Sequence, residues 1–283
     1  MQYENYTIRN MNENETKIAV DWASKEGWNP GIYDLNAFYK TDPTGWWIGF
    51  LNDEPISVIT AIKYKSGFSF VGFYVVKPEF RGKGYGIKLW NRAIESLNGM
   101  ICGLDGVVDQ QENYKKSGFV YAHRNIRYKT QGIKNLNINP YICDIDSISF
   151  NELIKYDSEC FPSSRPEFLS EWIKSPESFT LCHTQNNSIK GYGTIRKCEE
   201  GYKIGPLFAD NEIIAEELLL SLLNKVNETD NVYFDIPETN PLSVKIVNKY
   251  NMNYVFETAR MYKNGTPKIN MNKVFGITTF ELG

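Results

Sequence analysis

The sequence predicts an α/β protein that uses one pattern of strands and helices twice, and three observations predict it. Residues 46–78 line up with residues 179–211, Val58 falling against Gly191 and Gly67 against Gly201. Each copy reads strand, polar turn, strand, glycine turn, strand and helix, with two helical segments before it and a strand, a helix and an aromatic strand after it. Only the first copy carries a glycine-rich turn flanked by cations, "VKPEFRGKGYG" (76–86).

Taken in order, "ETKIAVDWASKEGW" (15–28) and "IYDLNAFYK" (32–40) have apolar residues at helical spacing. "WWIGFL" and the segment after the turn at 52–55 alternate as half-buried strands. "FSFVGFYVV" (68–76) is aromatic and β-branched, a buried strand that Pro78 stops. "IKLWNRAIESL" (87–97) returns to helical spacing through Ile87, Trp90, Ile94 and Leu97. A short helix from near Asp109 ends at Gly118, and "RNIRYK" (124–129) closes the first copy. The second copy follows with "FNELIKYDSEC", "PEFLSEWIK" and a final "TARMYK" (258–263). "TQGIKNLNINP" is polar and ends in proline, so the expected boundaries are a domain at 1–130, a linker at 131–140 and a domain at 141–283. The tail "KVFGITTFELG" (273–283) reads as a strand in need of a sheet edge.

Composition narrows the function classes. A net charge of −3 implies no polyanion-binding surface, so no nucleic-acid partner is expected. The five cysteines form no C-x-x-C pair and, with two histidines, no metal-ligand set, so no metal is expected. No apolar run at the start or within the chain suggests a leader or a membrane span. A protein of the reducing cytoplasm is the default.

The turn at 76–86 lies between a strand and a helix, so the first N–H groups of the new helix point back at it. Glycine lets phosphate oxygens approach the main chain, and Arg81 and Lys83 add positive charge; together these make an anion site. The spacing fits neither a dinucleotide fingerprint, whose third glycine would stand at Ile87, nor a Walker loop, which needs Ser or Thr after its lysine. Arg81, Gly84 and Gly86, preceded by Val76-Lys77-Pro78, do match the Q/R-x-x-G-x-G/A loop of the GNAT superfamily of N-acetyltransferases. "NYKKSGF" (113–119) resembles that family's second motif, and the resemblance covers the whole first copy.

The resemblance implies two tandem GNAT-like domains, each a mixed, mostly antiparallel sheet with a splayed central strand pair, and acetyl-CoA as co-substrate. Tyr74, Val75 and Val76 would pair with the pantetheine arm, a backbone N–H near Val75 would steady the oxyanion, and Arg81, Gly82, Lys83, Gly84, Tyr85 and Gly86 would hold the pyrophosphate. Asn113 and Lys116 fall in the second motif beside the coenzyme. Tyr114 stands where the family's tyrosine protonates the departing thiolate. The acceptor, a small-molecule or peptide amine, would lie near "KEGWNPG" (25–31), where Glu26 and Trp28 are candidates. Asp105 and Asp109 are further candidates for its base, as is Asp21, and so is ordered water. Cys102 is a conceivable nucleophile with no histidine to pair with it.

The second copy departs from the pattern. Where the loop should recur the sequence is "IAEELL" (214–219), with no glycine, no cation and two acids, although Asn240 stands where the family's second motif often begins. Fold retained and coenzyme site lost is therefore the expectation. The second domain then either walls the acceptor site or mediates homodimerisation. The competing readings are a tandem acyltransferase with a larger acyl donor and a non-catalytic acyl-CoA sensor.

Overall fold

The computed structural model describes residues 5–134, 139–186 and 188–283. Part of the expected linker, 135–138, lies outside them. The first copy runs β1 (Tyr6–Asn10), α1 (Thr16–Lys25), α2 (Asp34–Thr41), β2 (Trp46–Leu51), β3 (Glu54–Lys63), β4 (Phe68–Val76), α3 (Tyr85–Glu95), β5 (Ile101–Val107), α4 (Gln111–Lys116) and β6 (Val120–Gln131). The second runs β7 (Ile142–Asp144), α5 (Phe150–Cys160), α6 (Pro166–Trp172), β8 (Ser178–Gln185), β9 (Ser188–Lys197), β10 (Tyr202–Ala209), α7 (Glu212–Leu223), β11 (Asn231–Pro237), α8 (Pro241–Lys249), β12 (Asn253–Lys263) and β13 (Val274–Gly276). The repeat read from the sequence is thus a repeat of structure. Among the described residues no helix is long and apolar enough to cross a membrane.

Both copies share one sheet, in the order β1-β2-β3-β4-β5-β12-β6-β11-β10-β9-β8-β7, with β13 on β10. All neighbours are antiparallel except β4 with β5 and β10 with β11. The order exposes an exchange that the repeat did not announce. The last strand of the second copy, β12, pairs with β5 of the first, while β6 pairs with β11 of the second. The two final strands are alike enough to trade places, and each brings an arginine to the other copy's aspartate. Arg260 on β12 grips Asp105 on β5 through two bonds of 2.8 and 2.6 Å. Arg127 on β6 grips Asp235 on β11 at 2.6 and 2.7 Å. Both pairs are buried, where only a well-formed fork offsets the loss of water.

Helices close the same seam. Phe38 of α2 stacks on Trp172 of α6 with ring centres 6.1 Å apart, and both rings are buried. The Trp172 indole donates to the Gly205 carbonyl.

Each parallel pair splays. β4 and β5 stay in register only from Phe68 to Val71, and β10 and β11 only from Tyr202 to Ile204. A bulge sits at the same place in both copies, between Val58 and Thr60 against β4 and between Ile204 and Leu207 on β10. In the first copy the bulge holds Phe73 at φ 46, a left-handed conformation that strains a side-chain-bearing residue by about 1–3 kcal/mol. Its ring is sealed between Phe38 and Trp46, which offsets that strain.

The tail finds the sheet edge that the sequence called for, but only over a short stretch and within the sheet rather than at its border. Only Val274–Gly276 is strand, and it enters the second copy's own splay, pairing with Leu207 and Phe208 while the Ile277 N–H donates to the Asp235 carbonyl. Asn240 caps α8 and also donates to the Val274 carbonyl at 3.0 Å. The tail then crosses to the first copy, passing so near Gly205 and Gly72 that a Cβ on either would strike its backbone.

Candidate active site

The splay of β4 from β5 opens a cavity of about 1140 Å³. Its floor is β4: Tyr74, Val75 and Val76 line it, and Phe73 and Tyr74 have no partner across β3 or β5. Backbone groups there are free of the ladder, as strand addition by an amide-bearing arm requires.

One end is the glycine turn. Gly84 (φ 87) is the residue from which α3 springs, and Gly82 has φ 74. Both need the left-handed region, which glycine enters without strain. Gly86 is small for a different reason: a Cβ there would lie 2.6 Å from the Tyr74 hydroxyl. No hydrogen bond among the described residues takes up the N–H groups of Gly82, Lys83 or Gly84. Arg81 is tied to the loop's base by a 2.8 Å bond to the Val76 carbonyl and to Glu26 at 2.5 Å. Lys83 lies over the Phe80 ring, and Tyr85 is buried against Tyr6 and Phe80, so these two residues do not border the cavity with the other loop residues.

On the wall formed by α4, Asn113, Tyr114 and Lys116 border the cavity. The Tyr114 ring packs on Trp90 and covers Gly106, whose Cβ would collide with it. Burial pushes its hydroxyl up to about 12, and no hydrogen bond from a described residue reaches it.

The far end is built by both copies. Trp28 comes from the first, while Glu26, also in the lining, sits back against Arg81, and Phe256, Thr258, Phe280 and Glu281 come from the second. Sequence reading missed all four of the latter, because only the exchange of β12 and the path of the tail bring them here. The one signal was a lone acid in the apolar "TTFELG". The candidate acids fare differently. Asp105 borders the cavity but is spent on Arg260 and on Asn125, whose side chain donates to it at 2.7 Å. Glu26 is engaged by Arg81. Asp109 and Asp21 are exposed and stand outside the lining. Cys102 is buried off the cavity, which pushes its thiol up to about 12 and makes a thiolate nucleophile unavailable. Burial, aided by Arg260, pulls the His123 imidazole down to about 3, so it stays neutral. Among the described residues no group of His, Cys, Asp or Glu is placed to hold a metal.

The second copy's equivalent site is closed. β13 fills its splay, Asn211 caps the start of α7 through the Ile214 N–H, and Glu212 and Glu216 pair with Lys245 and Lys249.

Comparison with known proteins agrees with this geometry. The acetyltransferase (GNAT) family model matches residues 10–119, and a second acetyltransferase (GNAT) domain model matches residues 153–276. The chain belongs to the GNAT family. It is 29% identical to the holothin acyltransferase of Pseudoalteromonas sp. (strain SANK 73390), over 100% of this chain and 96% of that one. Among solved structures, a presumed acetyltransferase of Pyrococcus horikoshii shares the fold at a TM-score of 0.83 and 22% identity, covering 100% of this chain and 98% of its own. A tandem GNAT protein from the clavulanic acid biosynthesis pathway does so at 0.63 and 11%, covering 93% and 100%. Two GNAT units in one chain is therefore an arrangement with a structural precedent.

Proposed function

We propose that this GNAT protein is an N-acetyltransferase that moves the acetyl group of acetyl-CoA onto a primary amine in a ternary complex. The observation that carries the reading is the single cavity that joins an unpaired N–H turn, an off-ladder strand and the Tyr114 hydroxyl. The turn at 81–86 takes the pyrophosphate, with Arg81 exchanging part of its contact with Glu26 for phosphate oxygen. The pantetheine amides add to β4, which brings the thioester to the bulge at Phe73. The amine attacks there, backbone N–H groups near Val75 steady the oxyanion, and Tyr114 protonates the leaving sulfur. A small-molecule acceptor fits the aromatic far end formed by Trp28, Phe256 and Phe280. The relative that acts on holothin supports the same choice.

Gly84→Val tests the coenzyme assignment. Valine at φ 87 distorts the turn at a cost of about 1–3 kcal/mol, so coenzyme A affinity by calorimetry is expected to fall about tenfold or more. Unchanged affinity would remove the turn from the coenzyme site. A second expectation concerns stoichiometry. Titration of the full chain should saturate at one coenzyme A, because the second copy's cleft is occupied by the tail. Saturation at two would mean that the tail yields its place.

A further inference from the structure

Four acids line the cavity: Glu26, Glu95, Asp105 and Glu281. Glu26 is held by Arg81, Asp105 by Arg260, and Glu95 is exposed on α3. Glu281 is different. It is 3% exposed, and among the described residues no hydrogen bond reaches its carboxylate; Oε1 is sealed from solvent without a partner. A buried carboxylate without a donor is costly, so a chain that keeps one invites the question of what completes it.

Its placement is built with care. β13 anchors the tail in the second copy's splay. The Thr279 hydroxyl oxygen accepts from the N–H groups of Glu281 and Leu282 at 3.2 and 2.9 Å. Tyr64 donates to the Leu282 carbonyl at 3.0 Å. These contacts press the Glu281 backbone onto Gly72, where a Cβ would lie 2.1 Å from its carbonyl oxygen. Gly72 adjoins the strained Phe73 of the bulge, the point to which the proposed reading brings the thioester. Phe280, next to Glu281, lies against Phe256 at 5.6 Å, and the buried Arg127 guanidinium covers both rings at 4.9 and 4.8 Å. Among the described residues three cations line the cavity, Arg81, Lys116 and Lys263: Arg81 is paired with Glu26 and Lys263 donates to the Ser117 carbonyl, and none of the three is bonded to Glu281.

We propose that Glu281 is the acceptor-site carboxylate that receives the amine and takes its proton during acyl transfer. The inference rests on the acyltransferase reading above. The amine nitrogen forms its bond to the acyl carbon, the carbon–sulfur bond breaks with its electrons going to sulfur, the N–H proton passes to Glu281, and Tyr114 supplies the proton that sulfur gains. Both groups return to their starting states through solvent. The second copy then has a definite use: its emptied coenzyme cleft is the socket from which the tail presents Glu281.

The competing role is that of a counter-ion. Glu281 lies close enough to raise the proton affinity of Arg127 and Arg196 and to oppose the lowering of Lys203 by burial. Arg127 and Arg196 have their own aspartates, Asp235 and Asp34, whereas among the described residues Lys203 donates only to the Asn29 carbonyl. The experiment separates the two roles. Thiol release from acetyl-CoA is followed with water alone and with tryptamine as acceptor, beside coenzyme A affinity and melting temperature, for the parent, Glu281→Gln, and Glu281→Gln with Lys203→Met. A proton acceptor predicts that release falls about 10²-fold or more in both variants while coenzyme A affinity stays within about twofold. A counter-ion predicts that the double variant recovers release along with stability, and that result overturns the proposal, as does a single variant that turns over at the parent rate. A parent that binds no coenzyme A and releases no thiol overturns the acyltransferase reading itself.

Discussion

Tyr114→Phe is expected to lower kcat by about 10²-fold or more while coenzyme A affinity stays nearly unchanged. The substitution keeps the ring that packs on Trp90 and covers Gly106, and removes only the hydroxyl. That hydroxyl is held protonated by burial, near 12, well above the pKa of about 8.5 of an ordinary thiol. It is therefore intact when the carbon–sulfur bond opens and can deliver its proton as negative charge builds on sulfur. The competing role is core packing alone. Deleting a hydroxyl that bonds to no described residue would then change turnover by less than about fivefold, since such a loss costs about 1 kcal/mol or less. Steady-state kinetics decide, with acetyl-CoA hydrolysis as the substitute where an acceptor is lacking. A viscosity series shows whether chemistry is the slow step, as the comparison requires. Parent-level turnover under those conditions would return Tyr114 to the core and leave water as the proton donor.

How far the sequence could be read follows from which contacts are local. The turn at 76–86 declared itself because a strand, a proline stop, glycines and a helix start lie next to one another, and backbone geometry there depends on few distant partners. That Tyr114 borders the cavity follows from equally local sequence, a short motif closed by Gly118. The repeat was legible because both copies keep the same order of elements. The exchange of β6 and β12 was not, since "RNIRYK" and "TARMYK" predict two strands equally well whichever fifth strand they join. The engagement of the candidate base Asp105 was hidden on that account: its partner, Arg260, is remote in sequence and arrives only through the exchange. Glu281 was missed because the tail reads as an edge strand, and nothing local says that it enters a cleft, leaves it, and ends at another domain's bulge. The cavity is thus half local and legible, at the glycine turn, and half assembled by long-range topology, at the end lined by β12 and the tail.

The exchange itself makes the largest stability prediction. Arg260→Met is expected to lower stability by about 3–5 kcal/mol, because it leaves the Asp105 carboxylate buried with only the Asn125 amide as a donor. Methionine fills much of the space against Phe70, over which the guanidinium now lies at 5.0 Å, so the loss reports charge more than volume. For a chain of this size the melting temperature should drop by about 6–15 °C. The pair joins a strand of the second copy to a strand of the first, so the damage should fall on the seam between the halves rather than on either core. The double variant Asp105→Asn with Arg260→Met removes both charges, and most of the loss should return, since the dominant cost is an uncompensated ion rather than a missing attraction. Urea titrations of the parent, both single variants and the double variant give the coupling directly. A single variant that melts within about 2 °C of the parent would show that the β5–β12 seam stands on strand pairing and apolar packing alone.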